Sequence, residues 1–322
     1  MSEIHKFLFD GLPLKGAIVR LTDSWQEVLR RRAANTQTGP WPQPVAELLG
    51  QMLAAGCLMQ SGIKFNGALV LQMQSTGPVQ LAVAEVQNDF ALRATATVQA
   101  GADLPAGASL GQMLPQGQCA VTLDPRDRLP GQQPYQGVVA LKNATGEDLP
   151  TLAQALASYM LYSEQLDTYF VLAADAHTAA GIMLQRIPIK GEGNLEGRSA
   201  LSQEDMQEAC ARIASHTMSL KAEELLSLDV DTILHRLYWE EKLLRFHPTE
   251  SDSAPHFACT CSRARVATML QNLGAGEAQD ILAEQGQIEI GCDFCGAQYR
   301  FDAVDVGALF QATTQDWPYT RQ

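Results

Sequence analysis

Four cysteines in two tight pairs, Cys259-Thr260-Cys261 and Cys292-Asp293-Phe294-Cys295, constrain the last quarter of this chain more than any other feature. Zinc favours tetrahedral coordination, and four thiolates are a common structural set for it. Two local pairs joined by an insert that folds back supply such a set, and here 30 residues separate Cys261 from Cys292. The second pair is an ordinary CxxC. The first is CxC, tighter than generic zinc ribbons use, which makes the pattern more specific. The zinc ligands expected are therefore Cys259, Cys261, Cys292 and Cys295, one ion per chain.

The flanks agree with a metal knuckle. Residues 263–286 have helical composition, and Gln287-Ile288-Glu289-Ile290 alternates as a short strand leading into Cys292. Gly296-Ala297-Gln298-Tyr299-Arg300-Phe301 reads as the returning strand, so the CxxC is expected in the turn of a β-hairpin. A thioredoxin-like site would place CxxC at the start of a helix in a βαβ unit, and that context is missing. His256 lies near Cys259, but four cysteines already fill a tetrahedron.

A permanent zinc staple is one reading of such a site, and a redox switch is the other. Three features weigh for the switch. Residues 256–322 form a small unit with few large apolar residues, so a metal must supply much of its folding energy. Structural zinc contributes about 10–16 kcal/mol of apparent binding free energy in such units. Each cysteine pair is close enough in sequence to close on itself, so oxidation would consume all four ligands. The tiny loops clipped that way would restrict the unfolded chain far less than zinc stabilises the folded one. The expectation is that oxidation unfolds residues 256–322. Metal-held thiolates are the form that oxidants attack, which permits this role without proving it.

The rest of the chain reads as an α+β protein. Its 322 residues exceed the usual size of a single core. Residues 1–190 read as a large mixed α/β domain with a mainly antiparallel sheet. Strand-like runs occur at 65–73, 79–86, 92–99, 119–123, 135–141, 169–173 and 181–186, and helical patterns at 24–34, 44–60 and 152–165. Residues 36–42 and 100–117 read as loops. Three glycines within 191–200 mark a boundary, and 191–255 reads as an acidic helical linker. In it, Ser202 and Asp205 resemble a capping box, and a second helix is expected over 231–246. The small four-cysteine unit, 256–322, completes the chain.

The net charge of −13 is concentrated late: residues 191–255 carry −7 and residues 256–322 carry −4. Nucleic-acid binding neutralises phosphates with Lys and Arg, so these segments argue against a DNA or RNA partner. The N-terminus lacks the pattern of a secretory signal, and no apolar run approaches the roughly 20 residues needed to span a bilayer. A cytoplasmic protein with no membrane partner is expected. The remaining cysteines, Cys57, Cys119 and Cys210, read as buried small residues. The histidines show no HxxxH or HExxH spacing, no phosphate-binding glycine loop is present, and no catalytic or cofactor-binding set emerges.

His256-Phe257-Ala258-Cys259-Thr260-Cys261-Ser262-Arg263, Ile281-Leu282-Ala283-Glu284, Gly291-Cys292-Asp293-Phe294-Cys295-Gly296 and Tyr299-Arg300-Phe301 closely resemble the zinc centre of the heat-shock protein 33 family. Pro42-Gln43-Pro44-Val45, Leu69-Val70-Leu71-Gln72, Tyr135-Gln136-Gly137-Val138-Val139, Ser163-Glu164-Gln165-Leu166, Gly181-Ile182-Met183-Leu184-Gln185 and Leu237-Tyr238-Trp239-Glu240-Glu241 extend the resemblance over nearly the whole chain. The resemblance implies a cytoplasmic, ATP-independent holdase chaperone and not an enzyme. The reduced form would hold one zinc and be inactive. Oxidants would drive the disulfides Cys259–Cys261 and Cys292–Cys295, release zinc, unfold the small unit and the linker, form homodimers and expose a surface for unfolded clients. Two other classes stay open on the residues alone: a zinc-ribbon interaction module with a purely structural metal, and a thiol oxidoreductase.

Overall fold

The computed structural model describes residues 1–35, 38–127, 131, 133–188, 202–246 and 254–311. The glycine-rich break at 191–200 lies outside the described residues, as do Thr36, Gln37 and His247. The chain divides into two compact units, Met1–Ala258 and Cys259–Gln322. The helices expected to form a linker thus share a unit with the large domain, and the division falls after Ala258 rather than before His256.

The first unit begins with two strands the sequence reading passed over, β1 (Glu3–Phe9) and β2 (Leu14–Leu21), followed by helices α1 (Asp23–Ala33) and α2 (Gln43–Ser61). A meander follows: β3 (Gly67–Gln74), β4 (Val79–Gln87) and β5 (Ala91–Val98). The segment 100–117 is not wholly loop, because Leu110–Met113 forms the short α3, capped reciprocally by Ser109 and Gln112. Then come β6 (Gln118–Pro125), β7 (Tyr135–Ala140), α4 (Leu152–Tyr162), β8 (Thr168–Ala174) and β9 (Ala179–Arg186). After the break lie α5 (Gln203–Met218), α6 (Ala222–Ser227), α7 (Val230–Tyr238), β10 (Leu243–Phe246) and β11 (His256–Phe257).

These strands form two sheets. The first has the order β10-β1-β2-β9-β8 and is antiparallel throughout. The second has the order β11-β5-β4-β3-β6-β7 and is antiparallel except for the β11–β5 pair. Helix α2 packs on β2, β8 and β9 of one sheet and on β3, β4 and β5 of the other. A helix covered on both sides must be apolar all round, and α2 buries residues on every face from Pro44 to Gln60. Two glycines permit the close approach. A Cβ at Gly50 would sit 2.6 Å from that of Ala174, and one at Gly56 would sit 2.8 Å from Cγ2 of Val86.

The other face of the first sheet is also buried. Phe7, Phe9, Leu14, Ile18, Ile182 and Leu184 point away from α2 and are covered by α5, α6 and α7 through residues such as Ile213, Leu225, Ile233, Leu234 and Tyr238. Tyr238 stands edge-on to Phe9, with ring centroids 5.0 Å apart, and its hydroxyl lies 2.7 Å from the Thr217 hydroxyl. Arg20, on β2, donates to the carbonyls of Leu225, Leu226 and Leu228 at 3.2, 2.6 and 2.8 Å. Those carbonyls belong to the end of α6, where helical partners run out.

Two expectations for this segment need correction. The helix placed over 231–246 ends at Tyr238, and Leu243–Phe246 is a strand paired with β1 from Lys6↔Phe246 to Phe9↔Leu243. The free edge of β1 offers main-chain partners that outweigh the weak helical pattern of this short apolar run. Ser202 does cap α5, accepting from the Asp205 N–H at 3.1 Å, but Asp205 answers through the Ser202 hydroxyl and not its amide. The cap is therefore one-sided.

The second unit contains α8 (Arg263–Leu273), α9 (Ala275–Gln285), the hairpin β12 (Ile288–Gly291) and β13 (Gln298–Phe301), and α10 (Ala303–Gln311). Its core is small: Leu270, Ala278, Ile288, Phe301 and Val306 are buried.

Candidate metal centre

The two cysteine pairs arrive on different local structures. Cys259 and Cys261 lie on an extended stretch that stops where Ser262 caps α8, its hydroxyl accepting from the Arg265 N–H at 3.2 Å. Cys292 and Cys295 lie in the turn between β12 and β13, as the hairpin reading expected. The Cys292 N–H donates to Ala297 O at 2.9 Å and the Gly296 N–H to Cys292 O at 2.8 Å, which closes the turn. Gly296 sits at φ 72°, the left-handed conformation that glycine adopts at least cost.

The four sulfurs lie within 4.8 Å of one another. Cys259 Sγ is 3.7 Å from Cys292 Sγ, and Cys261 Sγ is 3.3 Å from Cys295 Sγ. A tetrahedral zinc with Zn–S near 2.3 Å separates its sulfurs by about 3.8 Å, so the arrangement fits such an ion. The donor set is also soft, suited to zinc and not to calcium or magnesium. These short separations run across the two sequence pairs, so proximity here does not itself favour closure within CxC and CxxC. His256 belongs to the first unit, where its ring lies 3.0 Å from Ala254 O.

Electrostatics make the site costly without a cation. Burial pushes the Cys292 and Cys295 thiols above their ordinary value. Four thiolates this close would repel one another strongly, and a divalent ion offsets that repulsion. Tyr299 adds a contact that the sequence did not announce: its hydroxyl donates to Cys261 Sγ at 3.1 Å. That bond pushes the Tyr299 hydroxyl up to about 12. The only signal was its place on the returning strand, with Ile290 opposite.

Arg263, directly after the first pair, ties the unit together. Its guanidinium lies 4.2 Å from the Phe301 ring centroid, donates to Arg300 O at 2.5 Å and pairs with Asp305 at 2.7 Å. The other three cysteines are buried, as expected. Cys57 and Cys119 are fully buried among apolar residues and Cys210 nearly so. Burial raises the thiols of all three, that of Cys119 to about 12, which makes them poor nucleophiles.

Comparison with known proteins follows the same lines. The family model described as Hsp33 protein matches residues 2–302. A 33 kDa chaperonin of Chromobacterium violaceum is 43% identical over 310 residues, covering 96% of this chain and 94% of that protein. A 33 kDa chaperonin of Shewanella woodyi is 39% identical over 321 residues, covering 100% of this chain and 99% of its own. The crystal structure of a 33 kDa chaperonin (heat shock protein 33 homolog) from Thermotoga maritima matches with a TM-score of 0.73 at 20% identity, over 98% of this chain and 99% of that one, which supports the fold.

Proposed function

This chain belongs to the Hsp33 family, and from that premise we propose that it is a redox-regulated, ATP-independent holdase chaperone and not an enzyme. The observation that carries the redox part is the gathering of four thiols from two distant segments around a space suited to one zinc ion. The reduced, zinc-bound form is the inactive one. Peroxide oxidises the pairs Cys259–Cys261 and Cys292–Cys295. Each disulfide uses two thiolates, one peroxide and two protons, and yields two waters. With its ligands consumed, zinc leaves, and the second unit loses the energy that folds it.

In this reading, residues 191–255 act as a detachable segment. The helices α5–α7 cover an apolar sheet face that includes Phe7, Phe9 and Ile18, and the free face suits unfolded polypeptide. The partners are unfolded client proteins and, in the oxidised state, a second copy of the chain. Nucleic acid and membranes are not partners. No described helix is long and apolar enough to cross a membrane, and the proposed location is the cytoplasm.

The test is a zinc and free-thiol count on the purified chain before and after peroxide, beside suppression of aggregation of a heat-denatured client. The expected result is loss of four thiols and one zinc per chain, with protection appearing only after oxidation. Zinc loss without protection would leave a structural-zinc interaction module. Catalytic turnover of disulfides would favour an oxidoreductase. Zinc retained under peroxide would sink the switch.

A further inference from the structure

Strand β7 ends the second sheet, and among the described residues no strand pairs with its outer edge. None of the main-chain groups of Tyr135–Ala140 bonds to any backbone other than β6 among the described residues. The strand spans six residues, about 20 Å of edge. Soluble proteins blunt such edges with Lys, Pro, bulges or a covering element, because a free edge templates pairing with another chain. The segment Tyr135-Gln136-Gly137-Val138-Val139-Ala140 contains no charge and no proline, and its pairing with β6 runs without a register shift.

The other sheet ends differ. β10 has four residues, one of them Arg245, which is tied to Asp231 at 2.6 Å. β8 buries Thr168, Phe170, Ala173 and Ala174. β11, the other end of the second sheet, has two residues, paired with Ala91 and Leu92 of β5. In β7 Val138 is 51% exposed and Tyr135 is 49% exposed, as Phe246 of β10 is at 51%, but no charged side chain of β7 stands beside them. The strand is held in register from one side only. A Cβ at Gly137 would lie 2.6 Å from the Tyr159 ring, and the Tyr135 hydroxyl donates to Glu164 at 3.0 Å. Gln136, Val138 and Ala140 therefore form a row on the opposite, solvent-facing side.

We propose that β7 is a client-docking edge, to which an extended segment of an unfolded polypeptide adds as a further strand. Main-chain bonds give the affinity and ask little of the client's sequence, as a holdase requires, while Val138 and Ala140 favour apolar side chains opposite them. A second copy of this chain is the weaker occupant, since both copies carry a net charge of −13. The proposal rests on the chaperone reading but names a surface separate from the face under α5–α7.

The experiment uses the full-length oxidised chain and, as probe, reduced and carboxymethylated α-lactalbumin, which stays unfolded and has no free thiol. Amide exchange over 135–140 should slow at least tenfold when the probe binds. Val138→Lys, an exposed change that installs the usual edge guard, should weaken probe binding at least fivefold. Peroxide-driven zinc release and the melting transition of that variant should match wild type. Val138→Thr, which keeps strand preference without charge, should bind as wild type does. Unchanged exchange and affinity would overturn the proposal. So would protection of 135–140 that rises with chain concentration in the absence of probe, which indicates self-pairing. Failure of the oxidised wild-type chain to bind any probe would instead overturn the chaperone reading, and this proposal with it.

Discussion

At the scale of single residues, the centre is a problem of charge. Cys259, Cys261, Cys292 and Cys295 are thiols whose sulfurs lie within 4.8 Å of one another, and each hydrogen bond to a sulfur alters how readily it is attacked. The Tyr299 hydroxyl donates to Cys261 and draws electron density from that sulfur. Tyr299→Phe removes the donor and keeps the ring. Peroxide-driven zinc release should then be faster by roughly three- to tenfold, the range commanded by the roughly 0.5–1.5 kcal/mol net worth of one hydrogen bond. Stopped-flow release into a chromogenic chelator measures it, and an unchanged rate would show that the contact has no bearing on oxidation. The four cysteines were legible because they come in two local pairs, the spacing that structural metal sites typically leave in a sequence. Tyr299 was not legible as a donor, because its role depends on which sulfur the hairpin brings to it. Arg263 was invisible for the same reason: its partners, Arg300 and Asp305, lie far along the chain.

Among elements, local pattern and tertiary partner compete. The runs that became β3 to β9 were readable because each alternates or is rich in strand formers and is bounded by turns. The buried helix α2 was readable because of its length and Pro44 in its first turn. β1 and β10 were not. His5 and Lys6 interrupt the apolar pattern of β1, and Leu243–Phe246 is too short for periodicity to separate strand from helix. Their assignment comes from pairing with each other, a non-local fact. The same applies to Arg20, whose three bonds to the end of α6 join residues about two hundred positions apart in sequence. Arg20→Ala should lower the free energy of local opening of α5–α7 by about 1–3 kcal/mol, since bonds from a charged donor to partly buried carbonyls are lost. Amide exchange over 203–238 in the reduced chain checks this. Arg20→Lys should restore little, because an ammonium lacks the planar fork that reaches several carbonyls at once. Unchanged protection in Arg20→Ala would mean that the apolar face alone holds the helices.

For the whole molecule, the two units differ in what folds them. The first has two extensive apolar clusters flanking one sheet, whereas the second, among its described residues, buries Leu270, Ala278, Ile288, Phe301, Val306 and little else. On the proposed zinc reading, a core that small leaves stability to the metal, so ligand binding and folding are one equilibrium in the second unit. In that reading, protons and zinc compete for the same four sulfurs. Burial already raises the Cys292 and Cys295 thiols, so each proton displaced by zinc is held more tightly than in an exposed cysteine. The direction follows: zinc affinity, and with it the folding of residues 259–311, should fall as pH drops below neutral. Added zinc should move the midpoint to lower pH, by mass action on the bound state. Circular dichroism and limited proteolysis of the reduced full-length chain, recorded against pH at several free zinc concentrations, should show cleavage confined to the second unit while the first retains its melting transition. A strong chelator at neutral pH should reproduce the acid result. A midpoint indifferent to zinc would show that the second unit folds on its own core, and oxidation would then have no folding energy to withdraw.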